Sequence, residues 1–185
     1  MRKALGLLFA ASMLVSVTAI ATSPAGGATN TALPKCKALS GTQTFSPALP
    51  KLGDPKLVKP LTTTNLTITG CTGGGITGGT SKGSVKATTA TNCNTLVKNS
   101  GKPGAPSKGI IKWSNGQTST TSNVLTVTSK AGASPIIAKL VSKYTAGLGK
   151  GHTSTAIVTA TPNKGFCVSA PFSKSTFKSS KITSK

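Results

Sequence analysis

Short runs of alternating apolar and polar residues follow one another along most of the chain. These runs are rich in Val, Ile and Thr, which favour strands, and Pro, Gly and Asn recur between them at nearly regular spacing. Beyond the N-terminal region no segment keeps the apolar spacing of a helix. The predicted strands cover residues 36–45, 65–71, 83–91, 109–114, 123–128, 136–146, 153–161, 166–172 and a short stretch within 176–183.

Turn residues occupy the intervals between these strands. The predicted turns and loops are 47–50, 72–79, 100–107, 115–116 and 162–165. Two prolines, Pro55 and Pro60, mark 52–61 as irregular or an edge strand. Eight or nine short strands, each with one polar face, bury an apolar face by stacking two sheets. The sequence therefore predicts an all-β fold, an immunoglobulin-like antiparallel β-sandwich of about eight or nine short strands.

Trp113 is the strongest indicator of the core. Alternation places Ile111 and Trp113 on one face of their strand, and Phe45 is predicted to join them in the core. Trp113 also lies between Cys93 and Cys167, in the Cys…Trp…Cys order typical of immunoglobulin domains. The alternative for Trp113 is an exposed aromatic that stacks on a ligand.

The N-terminus has the pattern of a secretory signal peptide. Arg2 and Lys3 precede an apolar run from residue 4 to 17, followed by small residues. Cleavage after Ala21 or after Ala28 fits the small-x-small rule, and Ala28 is preferred because Pro24 would end the apolar helix just upstream. We expect a helical signal peptide over 1–28 and one domain over 29–185 with a flexible start at 29–35. The protein would then be secreted, extracellular or wall-associated, without a membrane span after cleavage.

Four cysteines remain after that cleavage, and none forms a C-x-x-C pair. An even number in an exported chain predicts disulfides rather than zinc. Cys36 opens the first predicted strand and Cys71 closes the second, and antiparallel pairing would bring these ends together. The preferred pairs are Cys36–Cys71 and Cys93–Cys167, although four cysteines allow two other pairings.

Composition then narrows the function classes. The chain has 22 Lys and Arg residues against one Asp, no Glu and one His. It therefore lacks paired carboxylates for acid–base or glycosidase chemistry and a His/Asp/Glu cluster for a metal. Its 22 Ser and 30 Thr residues, with only 4% aromatics, fit a polar β protein or a disordered chain. The cysteines and the alternating strands favour the β protein.

No motif identifies a reaction. Gly73-x-Gly75-x-x-Gly78 spells a dinucleotide fingerprint, but no helix follows it. A Ser-His-Asp triad would have to use His152 and Asp54, and no G-x-S-x-G element presents a serine. We therefore predict a protein that is not an enzyme and has no catalytic, cofactor-binding or metal-binding residues.

The charge suggests a class of partner. Loss of residues 1–28 leaves 20 lysines against Asp54, a net charge of +19 with no arginine. Sequence-specific reading of nucleic acid is not expected, because arginine dominates that chemistry. Diffuse lysine charge would instead attract anionic cell-wall polymers or other polyanions, weakly and with strong salt dependence. The alternative function is a secreted structural or adhesive module whose lysines serve only solubility.

Parts of the chain are similar to a known group. The segments are GIIKWSNGQTS at 109–119, LVSKYTAG at 140–147, and Cys167 followed by a strand near Phe177. With its W-x-x-G-x-x-S hairpin and four spaced cysteines, the chain resembles a largely uncharacterised group of small exported actinobacterial proteins. The resemblance implies an exported β-sandwich and no particular reaction.

Overall fold

The structure is a computed structural model and describes residues 32–104, 106–129, 135–163, 167–179 and 181–185. The predicted signal peptide lies outside these ranges. Within them the chain forms strands and one short helix. In chain order these are β1 (Ala38–Leu49), β2 (Leu61–Thr69), β3 (Gly78–Lys86), α1 (Cys93–Lys98), β4 (Ser107–Trp113), β5 (Thr118–Val127), β6 (Ile136–Gly147), β7 (Thr153–Pro162), β8 (Phe172–Ser179) and β9 (Ile182–Ser184).

The strands close into an eight-stranded antiparallel β-barrel. Each strand from β1 to β8 pairs with the next in the sequence, and β8 returns to pair with β1. β9 continues beside β7 after β8 ends, pairing Ser154 with Ser184. The predicted immunoglobulin-like sandwich is therefore wrong. A sandwich has two sheets with free edges, whereas closure gives every one of the eight strands a neighbour on both sides.

The pattern of inward positions explains why alternation did not reveal closure. Along β2, for example, Thr62, Thr64 and Ile68 are buried and the residues between them are more exposed. Many inward positions elsewhere also carry small hydroxyl or amide side chains, which a sequence reading assigns to the solvent face. The buried polar residues on inward strand positions are Thr62, Thr64, Ser81, Ser119, Thr121, Asn123, Ser142, Ser154, Ser175 and Ser179.

One core cluster fills the end of the barrel where β1 begins, which we call the tryptophan end. Leu33 and Leu66 pack against this cluster from less buried positions, and Lys35 forms a bridge with Thr72 just ahead of β1. The Cys36–Cys71 disulfide belongs to it. Its buried members are Cys36, Leu39, Ile68, Cys71, Ile76, Ile111, Trp113, Tyr144, Leu148, Ala156 and Val158.

A second cluster fills the opposite end, which we call the helix end. The Cys93–Cys167 disulfide joins α1 to the connection before β8 there. Its buried members are Leu49, Cys93, Leu96, Ile136, Cys167 and Phe172. Each end of the barrel therefore has one disulfide inside its own apolar cluster. Trp113 packs at the other end from Cys93 and Cys167, so the Cys…Trp…Cys order does not reflect an immunoglobulin core.

The short helix α1 is the main element that periodicity did not predict. It has six residues, too few to establish an apolar period. Its N-cap is Asn92, whose Oδ1 accepts a hydrogen bond from the backbone N–H of Thr95 at 3.1 Å. The strand predicted over 83–91 is also displaced toward the C-terminus, because β3 begins at Gly78 and ends at Lys86.

Two further strand boundaries differ from the sequence prediction. β1 runs through Pro47 to Leu49, where a turn was predicted. The β1–β8 register shifts between Thr44 and Leu49, so the proline lies where the ladder is interrupted and its missing N–H costs no regular pair. The strand predicted over 166–172 is also misplaced, because β8 begins only at Phe172 and Cys167 lies in a turn with φ of 58°.

Candidate anion-binding surface on the barrel wall

Lysines recur in pairs on the outer wall of the barrel. Four strands carry the pattern Lys-x-x-x-Lys, and the even spacing places both lysines of a pair on the same face. All of them are exposed, whereas β1, β2, β5 and β7 carry no lysine. The pairs are Lys82 and Lys86 on β3, Lys108 and Lys112 on β4, Lys139 and Lys143 on β6, and Lys174 and Lys178 on β8.

Acidic side chains do not neutralise this wall. Asp54 is the single acidic residue of the chain, and it lies in a loop at the helix end. Its Oδ1 accepts the backbone N–H of Lys56 at 2.9 Å, and its carbonyl oxygen accepts hydrogen bonds from Asn92 at 3.0 Å and Asn94 at 3.2 Å. The strand lysines therefore face solvent and can pair with an external anion without first breaking an internal carboxylate contact.

The wall is interrupted between β3 and β4. All nine residues of β3 pair with β2, but only Gly79↔Trp113 and Thr80↔Lys112 pair β3 with β4. The two strands are joined by the long connection 87–106, which contains α1, rather than by a tight turn that would hold their ends together. We call the boundary between 81–86 of β3 and 107–111 of β4 the seam.

Close packing at the tryptophan end anchors the paired part of this boundary. A Cβ atom added to Gly79 would lie 2.8 Å from Cε3 of Trp113 and 3.1 Å from Cγ2 of Ile111. The absence of a side chain at Gly79 lets β4 pack its two large residues directly over the β3 backbone. Beyond Thr80 no comparable ladder holds the strands together.

Polar side chains line the interior behind the seam. Ser81 of β3 and Gly109 of β4 both border a small cavity of about 40 Å³. Next to it, Asn123 Nδ2 donates to Thr121 Oγ1 at 3.1 Å, and Thr121 Oγ1 donates to the Gly109 carbonyl oxygen at 3.3 Å. A cavity of this size holds a few water molecules, far less than an ordinary small-molecule ligand requires.

Two buried hydrogen-bond arrangements order the tryptophan end. Trp113 Nε1 donates to Ser119 Oγ, which donates to the Leu148 carbonyl oxygen, both at 2.7 Å. The hydroxyl of Tyr144 contacts Ser154 Oγ at 3.5 Å. Burial raises the pKa of Tyr144 above its usual value of 10.0, and the hydrogen bond with Ser154 offsets part of that rise.

The predicted disulfide and core residues lie at both ends of the barrel. Cys36 is bonded to Cys71 and Cys93 to Cys167, the pairing preferred from strand order. Trp113 and Ile111 are buried at the tryptophan end. Phe45 is partly buried at the helix end, with its ring centroid 5.1 Å from that of Phe172.

The structure does not bring the only triad candidates together. His152 lies in the turn between β6 and β7 at the tryptophan end, where its carbonyl oxygen accepts the backbone N–H of Tyr144. Asp54 is at the helix end. Gly73 and Gly75 lie in the β2–β3 connection with φ of 112° and 69°. Over the described ranges, no three His, Cys, Asp or Glu side chains are grouped closely enough to hold a metal ion.

Comparison with known proteins finds no match: no family profile fits this sequence, and no curated protein or solved structure is significantly similar to it. In the part of the chain that the structure describes, no helix is long and apolar enough to cross a membrane. The resemblance to the exported actinobacterial group remains a prediction.

Sequence reasoning missed the lysine pairs, although their signal is present in the sequence. Because the lysines form no run, the sequence pattern predicts only diffuse charge. The repeated spelling Lys-x-x-x-Lys inside predicted strands, as in KGIIK at 108–112 and KLVSK at 139–143, already predicts outward pairs about 13 Å apart. The seam, by contrast, has no local signal because it depends on which strands fail to pair.

Proposed function

We propose that the protein is exported, is not an enzyme, and associates reversibly with anionic polymers of the cell envelope or extracellular space. The observation that carries this proposal is the set of strand lysines, all outward and exposed, on a chain with one acidic residue. Binding of a polyanion releases its condensed counterions, which supplies a favourable entropy that falls as salt rises. The two disulfides suit an oxidising compartment, as export requires.

The same charge limits affinity and selectivity. Lysine ammonium groups are strongly hydrated point charges that cannot form the planar bidentate contacts of arginine. Every aromatic side chain that the structure describes is buried or partly buried, so stacking on bases contributes little. The proposal is therefore weak binding that follows polymer charge rather than base sequence.

The test is retention on three materials across a sodium chloride gradient: immobilised heparin, duplex DNA and isolated cell-wall material. We expect all three to retain the purified, oxidised protein at low salt and to release it in order of their charge density. Protein with acetylated lysines is the control and should pass through. Release of unmodified protein from all three at or below physiological salt would contradict the proposal and leave the structural module, with lysines that serve only solubility.

A further inference from the structure

The four lysines nearest the seam form an ordered series, which we call the seam lysines: Lys82, Lys86, Lys108 and Lys112. Thr80 pairs with Lys112. Counted along the strands from this last described pair, Lys82 and Lys86 lie two and six residues further on β3, and Lys108 lies four residues further on β4. Along the seam the lysines therefore alternate between β4 and β3, in the order Lys112, Lys82, Lys108 and Lys86. Each step is two residues, a rise of about 6.7 Å along the strand direction.

The other two lysine pairs lack this arrangement. Lys139 and Lys143 lie on β6, whose neighbours β5 and β7 carry no lysine. Lys174 and Lys178 lie on β8, between β1 and β7, which also carry none. Only the seam sets two lysine-bearing strands side by side among the strands of the barrel.

The interrupted ladder adds a second feature to the seam. Beyond Thr80 no further ladder pair between β3 and β4 is described, so the backbone N–H groups on this edge of β3 take no part in a β3–β4 ladder. Backbone N–H groups are good donors to oxyanions. Ser81 and Gly109, whose side chains are small or absent, flank the boundary on its inner side. An oxyanion bound over the seam would meet ammonium groups from both β3 and β4, with the backbone N–H groups of the β3 edge between them.

We propose that the seam is the polymer-binding site, and that its ligand is a single, base-free phosphodiester chain lying along it. This inference rests on the proposed association with anionic polymers. In such a chain three carbons and two ester oxygens separate neighbouring phosphates, so extended phosphates recur at an interval comparable with the two-residue step of the seam lysines. Successive phosphates then meet Lys112, Lys82, Lys108 and Lys86 in turn.

The shape of the site selects among polyanions. Lysines on two neighbouring strands can contact one thin chain from both sides, whereas the wide, rigid shape of a duplex lets fewer of its phosphates reach them. No exposed aromatic is described near the seam to stack on a base. Poly(glycerol phosphate), a chain of phosphodiesters without bases, is therefore the fitting probe.

The experiment compares two variants of equal charge. The seam variant replaces all four seam lysines with glutamine (Lys82→Gln, Lys86→Gln, Lys108→Gln, Lys112→Gln). The control replaces the other four strand lysines (Lys139→Gln, Lys143→Gln, Lys174→Gln, Lys178→Gln). Binding of labelled poly(glycerol phosphate) is followed by fluorescence anisotropy at several salt concentrations, and near-ultraviolet circular dichroism checks each fold.

We expect the seam variant to bind at least tenfold more weakly than the unaltered protein, and the control less than threefold more weakly. The slope of log K against log salt should flatten by about 3 in the seam variant, since each single-strand phosphate contact contributes about 0.7. Equal losses in the two variants would overturn the seam site while leaving general polyanion binding intact. Absence of salt-dependent binding by the unaltered protein would instead overturn the proposed function.

Two further measurements complete the test. In the first, the rate at which each lysine of the unaltered protein is acetylated is compared with and without polymer. This measurement needs no variant to fold. The polymer should protect the seam lysines at least fivefold and leave Lys139 and Lys143 reactive, and uniform protection would overturn the site. Oligo-dT and duplex DNA are then compared at equal phosphate concentration. If either binds as tightly as poly(glycerol phosphate), the assignment to a base-free single chain is wrong.

Discussion

At the scale of single residues, hydroxyl groups inside the barrel differ in whether they have a partner. Thr62 and Thr64 are 0% and 3% exposed, and neither Oγ1 has a hydrogen-bond partner. Thr121 is equally buried, but its Oγ1 both donates to Gly109 and accepts from Asn123. A buried hydroxyl without a partner carries a desolvation cost of about 1–3 kcal/mol. The same residue type should therefore respond oppositely to the same substitution.

We predict that Thr64→Val leaves the free energy of unfolding unchanged or raises it by about 1 kcal/mol, because valine removes an unpartnered hydroxyl with little change in shape. Thr121→Val should lower it by about 1–3 kcal/mol, because the hydrogen bonds of the Thr121 hydroxyl with the Asn123 amide and the Gly109 carbonyl oxygen are lost. Urea denaturation of both variants gives the comparison. Equal destabilisation would show that Thr64 Oγ1 has a partner, such as an interior water.

Tyr144 should make the free energy of unfolding depend on pH. Its pKa is raised in the folded state, so folding favours the protonated phenol. The stabilisation is complete below the unfolded pKa near 10.0 and is lost as pH rises through the folded pKa. We predict that Tyr144→Phe reduces the loss of stability between pH 9 and 11, measured by urea denaturation at each pH. As the single tyrosine of the chain, Tyr144 can also be titrated by its phenolate absorbance. Matching pH dependence in the two proteins would refute its role.

At the scale of strands and helices, the seam should differ in protection from its neighbours. β2 pairs along its whole length with both β1 and β3, whereas 81–86 of β3 pair only with β2. We predict that amide hydrogen exchange over 81–86 alternates, with slow β2-facing amides and fast β4-facing amides. Amides over 62–68 of β2 should be uniformly slow. Uniformly slow exchange in β3 would mean that the seam is closed by contacts beyond the ladder.

Most strands could be predicted from the sequence because segments rich in β-branched residues are separated by turn residues at nearly regular spacing. The segments 136–146 and 153–161 lie within one residue of β6 and β7 at both ends. Boundaries failed where composition is misleading. β3 begins in the glycine-rich stretch at Gly78, and β1 crosses Pro47 where its ladder with β8 is interrupted. Glycines at 78 and 79 suit a strand here because the β2 backbone lies close to Gly78 and the side chains of Trp113 and Ile111 pack against Gly79.

Closure of the sheet was not predictable by the same means. A sandwich and a barrel can use the same number of strands with the same alternation, and the difference lies in β8 pairing with β1 across most of the chain. Because many inward positions carry Ser or Thr, the inner and outer faces of a strand differ little in polarity. The sequence therefore does not show which face of each strand is covered. Of the candidate surface, the lysine spacing is readable from sequence, whereas the adjacency of β3 and β4 at an interrupted ladder requires the structure.

At the scale of the whole molecule, the two disulfides stabilise opposite ends of the barrel. The Cys36–Cys71 bridge spans 35 residues and the Cys93–Cys167 bridge spans 74. Loop-closure entropy assigns each about 4 kcal/mol, slightly more to the longer loop. We predict that replacing either pair by alanine lowers the free energy of unfolding by several kcal/mol, measured in urea. A loss below about 1 kcal/mol for one pair would show that its end is held by packing alone.

The charge of the whole molecule should also set how its stability depends on salt. Lysines surround the barrel and only Asp54 offers a carboxylate side chain, so folding brings like charges together with almost no attractive pairs. Between about 10 mM and 150 mM salt the Debye length falls from about 30 Å to about 8 Å, which screens this repulsion more in the compact state than in the expanded one.

We therefore predict that the urea midpoint rises with sodium chloride over that range, by on the order of 1 kcal/mol in the free energy of unfolding. This is the opposite of a protein stabilised by surface ion pairs. Removing four lysines should raise stability at low salt and reduce its salt dependence, to a similar extent in the seam variant and its control, because repulsion depends on total charge. Polymer binding should distinguish the same two variants, because it depends on where the lysines lie. A midpoint that falls with added salt would contradict the electrostatic account of the barrel.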